Sequence, residues 1–284
     1  MNVMRTIVVA TLCATVASTG LAQGRSTDDS FKWSGRIAAG GTLRVRNLAG
    51  RITVERASGT EVEVSGMKEW RNGDPADVRF DVVTEGNTVT VCAIWFEGSC
   101  TKGQEKRGNK RDRHEREEND VSVNFTVRLP AGLRIEASAV SADIHVTGAT
   151  AGVNANSVSG DVVLANVAGD LRLNSVSGDL QVRGATTGSV QANTVSGDMQ
   201  IVIAQLTGSG DFDFNTVSGG VEITLPAKLD ATVRMHTLSG ELTSDFPLTT
   251  EGNQRRRSVE ARIGAGGRVL KFNSVSGDVI LRRG

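Results

Sequence analysis

Residues 171–183 read Leu-Arg-Leu-Asn-Ser-Val-Ser-Gly-Asp-Leu-Gln-Val-Arg. Apolar and polar side chains alternate on both sides of a central Asn-Ser-Val-Ser-Gly-Asp, the period of two that marks strands with one buried face. The hexapeptide between them reads as a corner. Its glycine admits φ > 0 without steric cost, and its Ser and Asp side chains can bond neighbouring backbone groups. A helix is excluded, because Val and Thr recur, Gly interrupts the pattern and the 3.6-residue period is missing.

The corner returns along the chain. It stands at Asn156–Asp161, Asn174–Asp179 and Asn193-Thr-Val-Ser-Gly-Asp198, then at Asn215-Thr-Val-Ser-Gly-Gly220, His236-Thr-Leu-Ser-Gly-Glu241 and Asn273–Asp278. A degenerate copy, Ser138-Ala-Val-Ser-Ala-Asp143, precedes them, with half-copies at Asn166-Val-Ala-Gly-Asp170 and Asn47-Leu-Ala-Gly50. Gly160, Gly178, Gly197, Gly219, Gly240 and Gly277 stand 18, 19, 22, 21 and 37 residues apart. Such a period predicts an all-β fold, a β-solenoid (β-helix) with about 20 residues per coil. Like residues then stack, Asn on Asn and Val on Val, with amides bonding along the stack. A hairpin sandwich or propeller is the alternative, but hairpins give no reason to repeat one corner so faithfully. The corner residues Asn156, Gly160, Asp161, Asn174, Gly178, Asp179, Asn193, Gly197, Asp198, Asn215, Gly219, Asn273, Gly277 and Asp278 are therefore expected to be structural. The closing step of 37 residues holds Arg255-Arg-Arg257 and Val259–Ile263, and is read as one further coil with divergent corners and an exposed loop.

Upstream, residues 31–128 alternate less regularly, as in Val62-Glu-Val64 and Val121–Val127. The chain thus divides into 1–22, 23–128 and 129–284: a leader, an N-terminal β region that begins the solenoid, and the repeat itself. Residues 1–22 carry one early cation, Arg5, an apolar run Ile7–Ala17 and a small-residue tail ending in Ala22, the layout of a secretory signal peptide. The expected location is therefore outside the cytoplasm: periplasmic, extracellular or at the cell surface. The Ile7–Ala17 run is too short to span a membrane comfortably, and no second long apolar segment appears. In an exported chain the nearby pair Cys92 and Cys100 is expected to close a disulfide, with free thiols as the alternative. The charged loop 101–120 gathers seven cations and six anions of mixed order, and reads as a solvated loop between strands.

Across 284 residues, 32 basic and 32 acidic side chains cancel, which removes the electrostatic attraction nucleic-acid binding requires. There is no tyrosine, and aromatics make up 4%. Trp33, Trp70, Trp95, Phe31 and Phe96 fall in the N-terminal region, where they read as a plug for the open end of the core, with a sugar platform as the alternative.

The leader, the Asn47 half-copy, the Thr90-Val-Cys92 strand, the Leu129-Pro-Ala-Gly-Leu133 and Leu225-Pro-Ala-Lys-Leu229 entries and the serial Val-Ser-Gly-Asp corners resemble the bacterial "putative adhesin" family. This domain of unknown function is related to the head domains of auto-transporter adhesins. The resemblance implies a right-handed, single-stranded β-helix exposed outside the cytoplasm, and it carries over no catalytic position. A carboxylate ladder of Asp161, Asp170, Asp179 and Asp198 raises the question of Ca²⁺, against a simple turn role for each residue. His114, His145 and His236 lie too far apart in sequence to suggest a metal or nucleophilic centre. The expectation is an adhesin-like envelope protein that is not an enzyme: no catalytic residue, no cofactor, and an unidentified protein or glycan partner. Envelope-stress sensing or scaffolding is the alternative; a polysaccharide-acting β-helix enzyme is a third reading. Oligomeric state is open.

Overall fold

The computed structural model describes residues 29–95, 100, 120–250 and 258–284. The expected leader at residues 1–22, most of the charged segment 101–120 with His114, Phe96 and Arg255–Arg257 lie outside these residues. Among the described residues there is no α-helix, only strands and one 3-10 turn, Pro75–Asp77.

The described residues form 23 strands in two mixed sheets of 12 and 11 strands. Each repeat contributes one strand to the first sheet, turns the corner, and contributes the next to the second. Val153–Ser157 thus leads to Val162–Ala165, and Leu171–Ser175 to Leu180–Thr187. Such a pair, with its corner, is one rung. Successive rungs pair in parallel and in register, Val153 with Leu171 and Val190 with Phe212. Inward residues of both sheets meet in a single core, filled by Leu43, Ile135, Leu173, Phe214 and Phe272 in one sheet and by Ile144, Leu164, Ile201 and Ile223 in the other. The solenoid-like stack follows from the alternation: burying every second side chain from both sheets leaves each rung's top and bottom to be covered only by the next rung.

Rung order departs from chain order at both ends. Thr42–Arg46 and Ala49–Arg56 lie between Thr88–Trp95/Ser122–Leu129 and Arg134–Ser138/Ser141–Thr147. At the other end, Arg268–Ser276 and Val279–Arg283 slot between Phe212–Ser218/Val221–Leu225 and Ala231–Ser239/Leu242–Ser244. This corrects the reading of the 37-residue step. Ser258–Ile263 is not a further coil; it folds back antiparallel on Ala231–Ser239, and the Asn273 corner precedes the His236 corner in the stack.

Antiparallel strands close the ends. Ser30–Gly35 and Val62–Glu69 cap one sheet, and Val78–Glu85 caps the other. At the far end the last strands are Thr249–Thr250 and Leu242–Ser244, short edges that offer little template for pairing with another chain. Inside the N-terminal cap Phe31 stacks on Phe80 at 4.9 Å, and Phe80 meets Phe125 edge-on at 5.8 Å. Trp33 and Trp95 pack against the core, whereas Trp70 is exposed. No helix among the described residues is long and apolar enough to cross a membrane.

Candidate functional site

The repeated corners converge on one edge of the stack and form three rows along it. The first row is of amides. Asn174 Nδ2 donates to Asn156 Oδ1 at 2.7 Å, Asn193 to Asn174 at 2.8 Å, Asn215 to Asn193 at 2.7 Å and Asn273 to Asn215 at 2.6 Å. Because the rungs are in register, each amide meets its own counterpart with donor facing acceptor. Ser138 begins the row, accepting from Asn156 at 3.5 Å, and His236 stands opposite Asn273 at its far end.

The second row is of carboxylates. Asp143 accepts the backbone N–H of Asp161, Asp161 that of Asp179 and Asp179 that of Asp198, at 3.2, 2.9 and 2.9 Å. Asp198 accepts from Gly220 at 2.8 Å and Asp278 from Glu241 at 2.9 Å. Each carboxylate is thus committed to the next rung's backbone. Asp170 belongs elsewhere: its carbonyl bonds Val153, and it borders a separate cavity of about 470 Å³ with Arg134, Glu136 and Arg172. Among the described residues no group of three His, Cys, Asp or Glu side chains is placed to hold a metal ion.

Between these rows the backbones approach closely. A Cβ at Gly178 would collide with the carbonyl of Gly160, and one at Gly219 with that of Gly197. The corners have two local forms. Ser157 Oγ and Ser175 Oγ accept the N–H of Gly160 and Gly178 at 2.9 Å, closing tight turns. From Val190–Ser196 onward the strands run through the corner, and Gly197, Gly219, Gly277 and Gly240 take φ between +139° and +157°. Thr194, Thr216 and Thr237 replace the serine of that turn, and their buried hydroxyls have no hydrogen-bond partner among the described residues.

The third row is aliphatic and faces solvent. Leu48, Val140, Val158, Val176, Val195, Val217, Val275 and Leu238 follow one another at the tip of the corner, each 41–57% exposed. The sequence carries the signal: in Val153-Asn-Ala-Asn-Ser-Val158 the inward positions are 153, 155 and 157, so Val158 falls on the outward phase. Beside this row runs a groove of about 280 Å³, lined by Asn193, Thr194, Val195, Asn215, Thr216 and Val217 among others.

Away from the edge, Cys92 and Cys100 are joined in a disulfide with Cα atoms 5.8 Å apart. Asp120, at the end of the charged loop, is held below the ordinary aspartate value. The Gly73 N–H contributes most, opposed by partial desolvation and reinforced by the N–H groups of Asn72 and Arg71. Burial lowers the guanidinium of Arg268, and Asp211 opposes that shift.

A family model described as Toastrack DUF4097 matches residues 114–282, more than half of the chain. No curated protein matches it. Among solved structures the chain is similar to a "putative cell adhesion protein" from Clostridium sporogenes, with 9% identity, 90% of this chain and 100% of that chain covered, and a TM-score of 0.38. It is also similar to a "putative adhesin" from Bacteroides fragilis, with 12% identity, 89% and 96% covered, and a TM-score of 0.41.

Proposed function

Because the chain belongs to the Toastrack DUF4097 family, we propose that it is an exported, non-enzymatic, adhesin-like module of the bacterial envelope that presents a rigid edge to a protein or glycan. In this reading residues 1–22 are a signal peptide, residues 23–128 begin the solenoid and residues 129–284 complete it. The chain winds as a right-handed β-helix of about 20 residues per coil, a length in keeping with the 18- to 22-residue steps between paired corner residues. The observation that carries the proposal is the edge itself. Its Asn and Asp side chains are engaged between rungs, so the polar groups that would serve chemistry serve rigidity instead. A stiff, regular surface suits recognition, since little ordering entropy is lost on binding.

The test has two parts. Cell fractionation with N-terminal sequencing is expected to find the mature chain outside the cytoplasm, beginning at Gln23. Capture of envelope proteins and glycans on the immobilised chain is expected to saturate, and to weaken when residues on one face are replaced. Retention of Met1 in the cytoplasm would sink export. Turnover on a polysaccharide panel would replace the binding reading by an enzymatic one.

A further inference from the structure

Ten large apolar side chains are exposed among the described residues, and eight of them form the single row from Leu48 to Leu238. Exposed apolar residues scattered singly are ordinary; a continuous run is not. With rungs about 4.8 Å apart the row extends roughly 34 Å. At their observed exposures its side chains present on the order of 500 Å², near the upper end for the largest patch on a monomeric protein.

Its register is continuous through the backbone. Ser141, Ser159, Ser177 and Ser196 N–H groups donate to the carbonyls of Leu48, Val140, Val158 and Val176. The remaining members follow through the pairing of Ser196 with Ser218, and of Ser276 with Ser218 and Ser239.

We propose that this row is a homotypic interface, on which a second copy of the same chain packs its own row side by side and in the same direction. This goes beyond the envelope-binding reading and does not depend on it. Several observations select the occupant. A ridge one residue wide is matched along its whole length by a partner with the same rung spacing, and a second copy has it by construction. Two such ridges with their flanks bury about 1,000 Å² or slightly more in total, the lower end for a specific interface. A net charge of zero leaves no global repulsion between copies. The row contains no aromatic ring, so it lacks the platform that sugars stack on. The corner backbone is already bonded between rungs, which disfavours an added peptide strand.

The direction follows from charge. The chain crosses the edge from Asn, at the end of a strand in the 12-stranded sheet, over the aliphatic tip to Asp, at the start of a strand in the 11-stranded sheet. A two-fold axis parallel to the stack sets the amide row of one copy against the carboxylate row of the other. An antiparallel arrangement would set carboxylates against carboxylates, which costs affinity. In the parallel arrangement each aliphatic residue meets its own counterpart.

Sedimentation of protein produced from the complete sequence is expected to show a monomer–dimer equilibrium, with Kd on the order of micromolar. Replacing Val176 and Val195 together by Asp is expected to weaken it at least tenfold, with the thermal transition retained because both side chains are exposed. Val176→Thr with Val195→Thr keeps shape and β-propensity and is expected to weaken it in the same direction, so loss of fold and loss of interface are distinguished. For orientation, Val140→Cys and Leu238→Cys lie near opposite ends of the row. Each alone is expected to give a disulfide-linked dimer above the wild-type background. A monomer at all concentrations, or a dimer insensitive to both double variants, overturns the interface. Cross-linking only in a mixture of the two cysteine variants overturns the parallel arrangement.

Discussion

The side-chain amide of Asn273 donates to Oδ1 of Asn215 at 2.6 Å, across 58 residues of sequence. Among the described residues, the rung that comes last in sequence therefore lies inside the stack, between the Asn215 and His236 rungs. Phe272 confirms the placement by stacking on Phe214 at 5.2 Å. Arg268 closes the entry to this rung. Its guanidinium donates to the carbonyls of Gly188, Gly210, Thr207 and Gly208 and lies 4.8 Å above the Phe212 ring.

Replacing Arg268 by Ala removes these charge-assisted bonds and strips partners from carbonyls on two neighbouring rungs. A loss of about 2–4 kcal/mol is expected, read from the midpoint of urea unfolding. Arg268→Lys is expected to recover little of it, because one ammonium cannot reproduce a planar fork that spans several acceptors. Full recovery by Lys would mean that charge alone, not the fork, holds the rung.

The glycine of the corner is set by approach between rungs. At Gly178, where no left-handed backbone is involved, the Gly160 carbonyl still occupies the space a methyl would need. Gly178→Ala is expected to cost about 1–3 kcal/mol through displaced backbone. Gly59→Ala, where nothing lies within 4 Å of the added atom, is expected to stay within about 0.5 kcal/mol. Equal effects at the two sites would make the close approach irrelevant to stability.

The repeat, the stacked amides and the shared corner are legible in Asn156–Asp161 and its copies, because residue type and register there have one cause. Rung order is not legible. Thr42–Arg46 and Arg268–Ser276 show the same inward–outward alternation as every other rung, so exchanging neighbours in the stack leaves the pattern unchanged. What decides it lies in particular long-range fits such as Arg268 on the Gly188 and Gly210 carbonyls, which no local pattern announces. The aliphatic row was legible in phase yet easily absorbed into the core, since a valine between two serines looks like a buried residue until its parity is counted. Asp170 shares the Gly-Asp dipeptide of the corner but not its preceding Ser-Val-Ser, and it accordingly falls outside the row.

Gly220 interrupts the carboxylate row. It donates to Asp198 but has no side chain with which to receive the N–H of Asp278 in the next rung. A Cβ there meets its nearest neighbours at 3.7 and 3.9 Å, ordinary contact distances. Gly220→Asn is expected to raise stability by about 1 kcal/mol, through one added hydrogen bond and a less flexible unfolded chain. The corresponding rise in Tm is roughly 2–4 °C. Gly220→Ala isolates the unfolded-chain part and is expected to give less. Gly220→Asp adds the bond but also a charge between Asp198 and Asp278, so it is expected to fall below Asn. An Asn variant no better than Ala would show that the missing bond is not made.

Asp120 ties the turn at residues 71–73 to the strand Ser122–Leu129. Its carboxylate accepts from Gly73 at 2.8 Å, from Asn72 at 3.1 Å and from Arg71 at 3.3 Å. These bonds favour the charged form, led by that of Gly73, so the group titrates below its ordinary value. The sign of the linkage follows: the unfolded chain takes up the proton first as pH falls. The stabilisation is therefore complete above the ordinary aspartate value and lost as pH drops through the lowered folded one. A side-chain carboxyl NMR titration is expected to place the Asp120 midpoint below the ordinary aspartate value. Protection of the Asn72 and Gly73 amides, taken relative to their intrinsic exchange rates, is expected to fall over the same acid range. In Asp120→Asn that loss should vanish, because an amide presents the same acceptor at every pH. An Asp120 midpoint at the ordinary value would mean that the turn is held without the carboxylate.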